Sequence, residues 1–170
     1  MQETAAHFGK MLSINTNLKK LSLRKMRLRC DGVFILTNHL VENNKLRVLD
    51  LNCNEISSDG ILYISRFLSN EECKLESLIM SVNKIINLGG KYIAQALAVN
   101  KILIHIDLTN NRIGDKGLSR LAKSLFHNKV LMSFKLFGNH FDQQSLKFLH
   151  RLFKRILRLM MLMMKYKWLM

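Results

Sequence analysis

The chain has 170 residues and a mass of 19.8 kDa, with 48% hydrophobic and 23% charged residues, 8 Gly and no Pro. That composition excludes wholesale disorder, collagen-like repeats and Pro-rich linkers, and leaves room for one domain. Lys and Arg number 27 against 12 Asp and Glu, a net +15 that bears on solubility and acidic partners and not on fold.

The opening residues, Met1 to His7, are polar and lack the apolar stretch of a signal peptide. Residues 8–15 then read as a helix ending, because Leu12 and Asn15 lie 28 residues ahead of Leu40 and Asn43. Residues 1–17 are accordingly expected to be the end of an upstream repeat, and the chain a fragment of a longer array.

At Leu18 a pattern begins: apolar-x-x-apolar-x-apolar-x-x-Asn. It restarts at Leu46, Leu75, Leu103 and Leu131, at spacings of 28, 29, 28 and 28 residues. The apolar positions are Leu18/Leu21/Leu23, Leu46/Leu49/Leu51, Leu75/Leu78/Met80, Leu103/Ile106/Leu108 and Leu131/Phe134/Leu136. Their alternation predicts a short strand with one buried face in each unit. A structural Asn column follows at Asn54, Asn83, Asn111 and Asn139, with Met26 in its place in the first unit. A side-chain amide in a tight turn can satisfy backbone groups that no strand ladder reaches.

The second half of each unit switches to helical spacing. Gly32/Leu36/Leu40, Gly60/Ile64/Leu68, Gly89/Ile93/Leu97 and Gly117/Leu121/Leu125 each fall on one helix face, and Ser145 takes the Gly position in the fifth unit. Asp31, Asp59 and Asp115 are placed to cap helix N-termini, and Asn43, Asn100 and Asn128 mark helix exits. One strand–helix unit cannot bury its apolar face alone, whereas stacked neighbours can.

These units resemble the leucine-rich repeat in its long, ribonuclease-inhibitor-like variety, which NOD-like receptor sensor regions and Ran GTPase-activating proteins share. The resemblance covers about residues 5–153. It implies an α/β solenoid of about five units, shaped as a horseshoe, with parallel strands on the concave face and helices on the convex face. It further implies a non-enzymatic, intracellular scaffold that binds protein, in the cytoplasm or nucleus, with acidic partners and the nucleolus among the expectations. The expected divisions are 1–17, the repeats at 18–150, and a basic, Met-rich segment at 151–170.

In such a stack the strand residues between the buried ones face inward. The candidate partner-binding residues are Lys20, Arg24, Asp50, Asn52, Ile79, Ser81, His105, Asp107, Thr109, Lys135 and Phe137. Phe137 is the best single anchor among them, since aromatic residues dominate interface energetics. His105 and Asp107 lie two residues apart on one strand face and invite an acid–base reading. No nucleophile, phosphate-cradling loop or metal-ligand spacing accompanies them, so a solvated pair is favoured and no cofactor or metal is implied.

The first unit carries the densest basic run. Lys19, Lys25, Arg27 and Arg29 read as one basic edge, an alternative site for nucleic acid or an acidic tail. Nucleic acid is not favoured, because no aromatic platform interleaves the cations. Arg24, Arg27 and Arg29 are the candidates for a GTPase-activating arginine. Cys30, Cys53 and Cys73 form no CxxC pair and read as packing residues in a reducing compartment, Cys53 with an accessible thiol.

Residues 151–170 hold 6 of the Lys/Arg, none of the acids and five of the ten Met. Three readings stay open for this tail: an extension of the last helix over the core edge, a non-native end, and a basic amphipathic helix for a membrane surface or a calmodulin-like partner. Its apolar stretch is too short for a transmembrane segment.

Overall fold

The short strands follow from the leucine frame. A computed structural model describes residues 2–142 and residue 147, and within it each frame gives one three-residue strand. These are β1 (Lys20–Ser22), β2 (Val48–Asp50), β3 (Ser77–Ile79), β4 (His105–Asp107) and β5 (Ser133–Lys135). All four pairings are parallel, in the order β1-β2-β3-β4-β5. Leu21, Leu49, Leu78, Ile106 and Phe134 stand in one register row. The three central members of that row are fully buried, while Leu21 and Phe134 in the outer strands are half-buried.

Parallel strands require a crossover, and here each crossover is a helix. The helices are α1 (Gln2–Ile14), α2 (Arg29–Leu40), α3 (Ser58–Leu68), α4 (Asn87–Val99) and α5 (Asp115–Leu125), each packed on the next. The predicted trios Gly32/Leu36/Leu40 through Gly117/Leu121/Leu125 are all buried. Paired strands lie about 4.8 Å apart and packed helices 8–10 Å apart. The helical side of the stack is therefore the longer one, and the sheet lines the inner, concave side. This is the leucine-rich-repeat architecture that the repeats imply. The readings made for residues 151–170 and for Ser145 lie outside the described residues.

Two series of asparagines fasten the units together. In the first, each amide donates to the strand-end carbonyl of the preceding unit: Asn54 to Leu23, Asn83 to Leu51, Asn111 to Met80 and Asn139 to Leu108, at 2.8–3.0 Å. Its Oδ1 accepts loop N–H groups of that same preceding unit, such as Met26 and Leu28 at Asn54. In the second series, Asn43, Asn100 and Asn128 donate backward to Leu12, Leu68 and Leu97, and accept N–H groups from the two residues that lead into the next strand. The 29-residue unit has no Asn there. Buried Cys73 occupies that loop, and the Leu75 N–H points at its sulfur.

The helix caps differ from the sequence expectation. Asp31 and Asp59 lie inside the first turns of α2 and α3, and Asp115 opens α5; from there they oppose the helix dipole and do not serve as the N-cap residue. Ser57 caps α3 from within its own unit, whereas at α4 and α5 the free N–H groups are met by the neighbouring unit. Ser58 Oγ accepts the Gly89 N–H at 3.0 Å, and Asn87 Oδ1 accepts the N–H groups of Gly114 and Gly117 at 2.9 Å each. The first turn of one helix is packed closely enough on the next to reach its orphan donors. Gly117 makes this approach possible, since a Cβ there would stand 3.0 Å from Asn87 Oδ1 and 3.1 Å from Asn87 Cα.

Candidate functional site

The inner face of the sheet is built by alternation. With Leu49, Leu78 and Ile106 turned into the core, their strand neighbours face the other way and form cross-strand rows. One row runs Lys20, Val48, Ser77, His105, Ser133, and the next runs Ser22, Asp50, Ile79, Asp107, Lys135. A third row, Arg24, Asn52, Ser81, Thr109, Phe137, is held in line by loop hydrogen bonds such as Asn110 N–H to the Phe137 carbonyl at 2.8 Å.

The middle of this face is largely self-satisfied. Asp50 Oδ1 accepts the Asn52 N–H, and Asp107 Oδ1 accepts the Thr109 N–H, both at 2.9 Å. Each aspartate thus fastens the turn after its own strand. Asp50 Oδ2 also lies 3.7 Å from Arg24 Nε and accepts the Ser22 hydroxyl at 3.4 Å. Ser81, read from the sequence as a contact residue, is only 8% exposed, and its Oγ accepts the Asn52 amide. Its position two residues past β3 brings the neighbouring loop over it. Ile79, His105, Asp107 and Thr109 are half-buried.

The ends of the face are open. Lys20 and Arg24 are exposed at one end, Lys135 and Phe137 at the other, and Phe137 is 85% exposed. His105 and Asp107 share the face, but Asp107 spends one oxygen on its own turn. Among the described residues no hydrogen bond joins the two, and no group of three or more His, Cys, Asp or Glu is placed to hold a metal ion.

Lys19 precedes β1, whereas Lys25, Arg27 and Arg29 follow it, so the strand separates them. The loop cations also have a counter-ion that the sequence reading missed. Glu55 lies 3.9 Å from Arg27, 3.7 Å from Arg29 and 3.1 Å from Lys84. The Lys84 hydrogen bond and charge, with smaller help from Arg29 and Arg27, hold the Glu55 carboxyl below the usual glutamate range. The signal was present in the spacing: Arg27, Glu55 and Lys84 are 28 and 29 residues apart, the repeat length itself. All three candidate GTPase-activating arginines, Arg24, Arg27 and Arg29, lie within ion-pair distance of a carboxylate.

The comparisons agree with this architecture. A leucine-rich-repeat model matches residues 42–65 and 99–122. The chain is similar to NACHT, LRR and PYD domains-containing protein 14 of Mus musculus, 31% identical over 104 residues, which is 61% of this chain and 10% of that protein. It is also similar to NACHT, LRR and PYD domains-containing protein 5 of Mus musculus, 34% identical over 98 residues, 58% of this chain and 8% of that one. The chain spans about a tenth of the length of the curated relatives it matches. Among solved structures, leiomodin-1 actin-binding site 2 superposes with a TM-score of 0.74 at 20% identity, covering 98% of this chain and 97% of that one. The tropomodulin C-terminal domain of Caenorhabditis elegans gives 0.69 at 12% identity, covering 95% and 96%. At these identities the structural likeness establishes the fold, and no helix among the described residues is long and apolar enough to cross a membrane.

Proposed function

We propose that this leucine-rich-repeat chain is a non-enzymatic scaffold that takes a protein partner on the concave face of its sheet. The observation that carries the reading is Phe137. An aromatic side chain 85% exposed in the turn just past β5, two residues from exposed Lys135, is an unfilled anchor at the end of the inner face. A chain of this fold and length is named for actin binding in leiomodin-1, which supports a stack of this size as a recognition unit. Residues 18–150 would be that unit, of the ribonuclease-inhibitor-like variety. The stretches Phe137 to Asp142 and Phe8 to Leu12 resemble leucine-rich repeat-containing protein 34, and from that resemblance we take an intracellular, nuclear or nucleolar setting and an acidic partner.

Photocrosslinking tests the reading. A benzophenone amino acid placed at Ser133 should capture a discrete protein partner, and Phe137→Ala should remove the adduct. Adducts formed only from positions on the helices would refute it. The alternative, nucleic-acid or acidic-tail binding at the basic edge of the first repeat, draws on Lys19, Lys25, Arg27 and Arg29, and Glu55 weakens it by neutralising part of that charge. Replacing Lys19, Lys25, Arg27 and Arg29 with Glu should leave concave-face capture intact. If capture instead fails in that variant and falls steeply with salt, the edge is the site.

A further inference from the structure

The helical side of the stack carries a second surface, independent of the concave face. α4 has no acidic residue, and the acidic residue in the first turn of α5 is Asp115, at its N-terminal end, whose Oδ1 accepts the Asp142 N–H. Between the two helices runs an open groove of about 290 Å³. Lys91 rims it on the α4 side; Arg120 and Lys123, three residues apart on one flank of α5, rim it on the other, with His127 in the turn just past that helix. The carboxylates of Asp50, Glu55, Glu72 and Glu76 pair with other cations, at Arg24, Arg27, Arg29, Arg47, Lys74 and Lys84.

The floor of the groove is of the opposite character. It is made by Ala94 and Ala98, one helical turn apart, and by Ser124, whose hydroxyl is already donated to the Leu121 carbonyl at 2.7 Å. An uncharged floor of small side chains lies between cationic walls. The corresponding groove between α2 and α3 has one cation, Arg66, in a lining otherwise of aromatic, aliphatic and uncharged polar side chains, so several cations in one groove are not a general property of the helical side. Like charges repeated on one helix flank oppose folding, and a bound counter-charge relieves that repulsion.

We propose that the α4–α5 groove docks an acidic amphipathic helix of a protein partner. Its small apolar side chains would rest on Ala94 and Ala98, and its carboxylates would meet Lys91, Arg120 and Lys123. A nucleic-acid strand fits less well, because no aromatic side chain lines the groove for base stacking.

The test uses the whole 170-residue chain and a fluorescein-labelled helical peptide of about 16 residues, roughly 24 Å long, made of Glu, Ala and Leu with Glu flanking an apolar stripe. Its Gln-for-Glu counterpart and an oligothymidylate are the comparison probes. Fluorescence anisotropy should show saturable binding of the Glu peptide. Arg120→Glu with Lys123→Glu should weaken it about tenfold, and Ala98→Trp, which fills the floor without changing charge, about fivefold. The charge-matched pair Lys25→Glu with Lys84→Glu, on the loop edge, should change it by less than about twofold. Circular dichroism would verify that each variant is folded. Equal weakening by the loop-edge pair, insensitivity to Ala98→Trp, no saturable binding, or tighter groove-dependent binding of oligothymidylate would each overturn the proposal.

Discussion

The main-chain N–H of Asn54 donates to the Oδ1 of Asn83, 3.1 Å away and 29 residues further along the chain. One amide therefore holds the turn that contains the next amide of the same series. Asn83 also accepts the Ile56 N–H and donates to the Leu51 carbonyl. Asn83→Ala would strand several buried groups at once, each costing about 1–3 kcal/mol. A loss of about 2–4 kcal/mol in urea unfolding is expected. Asn139→Ala should cost less, because that amide is itself half-buried and makes fewer bonds to other units than Asn83 does. Equal losses at the two positions would contradict this account.

Backbone conformation gives a prediction of the opposite sign. Val82 sits at φ 56°, in the left-handed region, where a β-branched side chain is strained. The equivalent residue one unit later is Asn110, at φ 53°, a type that tolerates this conformation. Val82 is also exposed, so little packing is lost on replacing it. Val82→Asn should raise stability by about 1 kcal/mol, visible as a higher thermal midpoint. At the fifth equivalent, Gly138, the reverse holds: φ is 71° and a Cβ would collide with the Asn110 side chain, so Gly138→Ala should lower the midpoint.

Glu55 makes the loop edge sensitive to acid. Its carboxyl is held below the ordinary range by the Lys84 hydrogen bond first, then by the charges of Lys84, Arg29 and Arg27. A depressed carboxyl stabilises the fold fully above its unfolded-state value, and that contribution disappears as pH falls through the folded value. Carbon-detected NMR titration should place the Glu55 midpoint below that of a model glutamate and move it upward with added salt. Glu55→Gln should flatten the acid limb of the stability profile and strengthen retention on an anionic resin. An unchanged acid limb would contradict the linkage.

The three cysteines should separate by reactivity. Cys73 is buried, and burial raises its thiol above the usual range, partly offset by the Leu75 N–H at its sulfur. Cys30 and Cys53 are half-exposed. Native protein treated with a disulfide reagent should modify Cys73 last, and unfolding should remove the difference. Early loss of Cys73 would mean that its loop opens on the reaction timescale.

The leucine positions could be read directly because period-two and period-four spacing is a property of one chain segment at a time. Leu49, Leu78 and Ile106 are buried where their frames place them, and the Gly-to-Leu trios line the helical core. What the sequence hid were relationships between units. Asn87 reaches the N-terminus of α5 across 27 and 30 residues, which no local capping rule would suggest. Asp50 and Asp107 looked like free recognition carboxylates, yet each turns an oxygen to its own backbone two residues on. The α4–α5 groove was invisible for the same reason, since its two walls come from segments about 30 residues apart.

The left-handed residues of the loops after the strands are unevenly shared. Among the described residues the first loop has Lys25 and Arg27, with Arg29 at the opening of α2, the second Cys53 and Glu55, the third Val82 and the fourth Asn110, while the fifth has Gly138. Torsional cost is thus concentrated in the first loop, whose own unit carries Met26 in place of the structural Asn. Opening should begin there and travel in one direction, so that amide protons near Lys25 to Arg29 exchange with solvent well before those around Asn110.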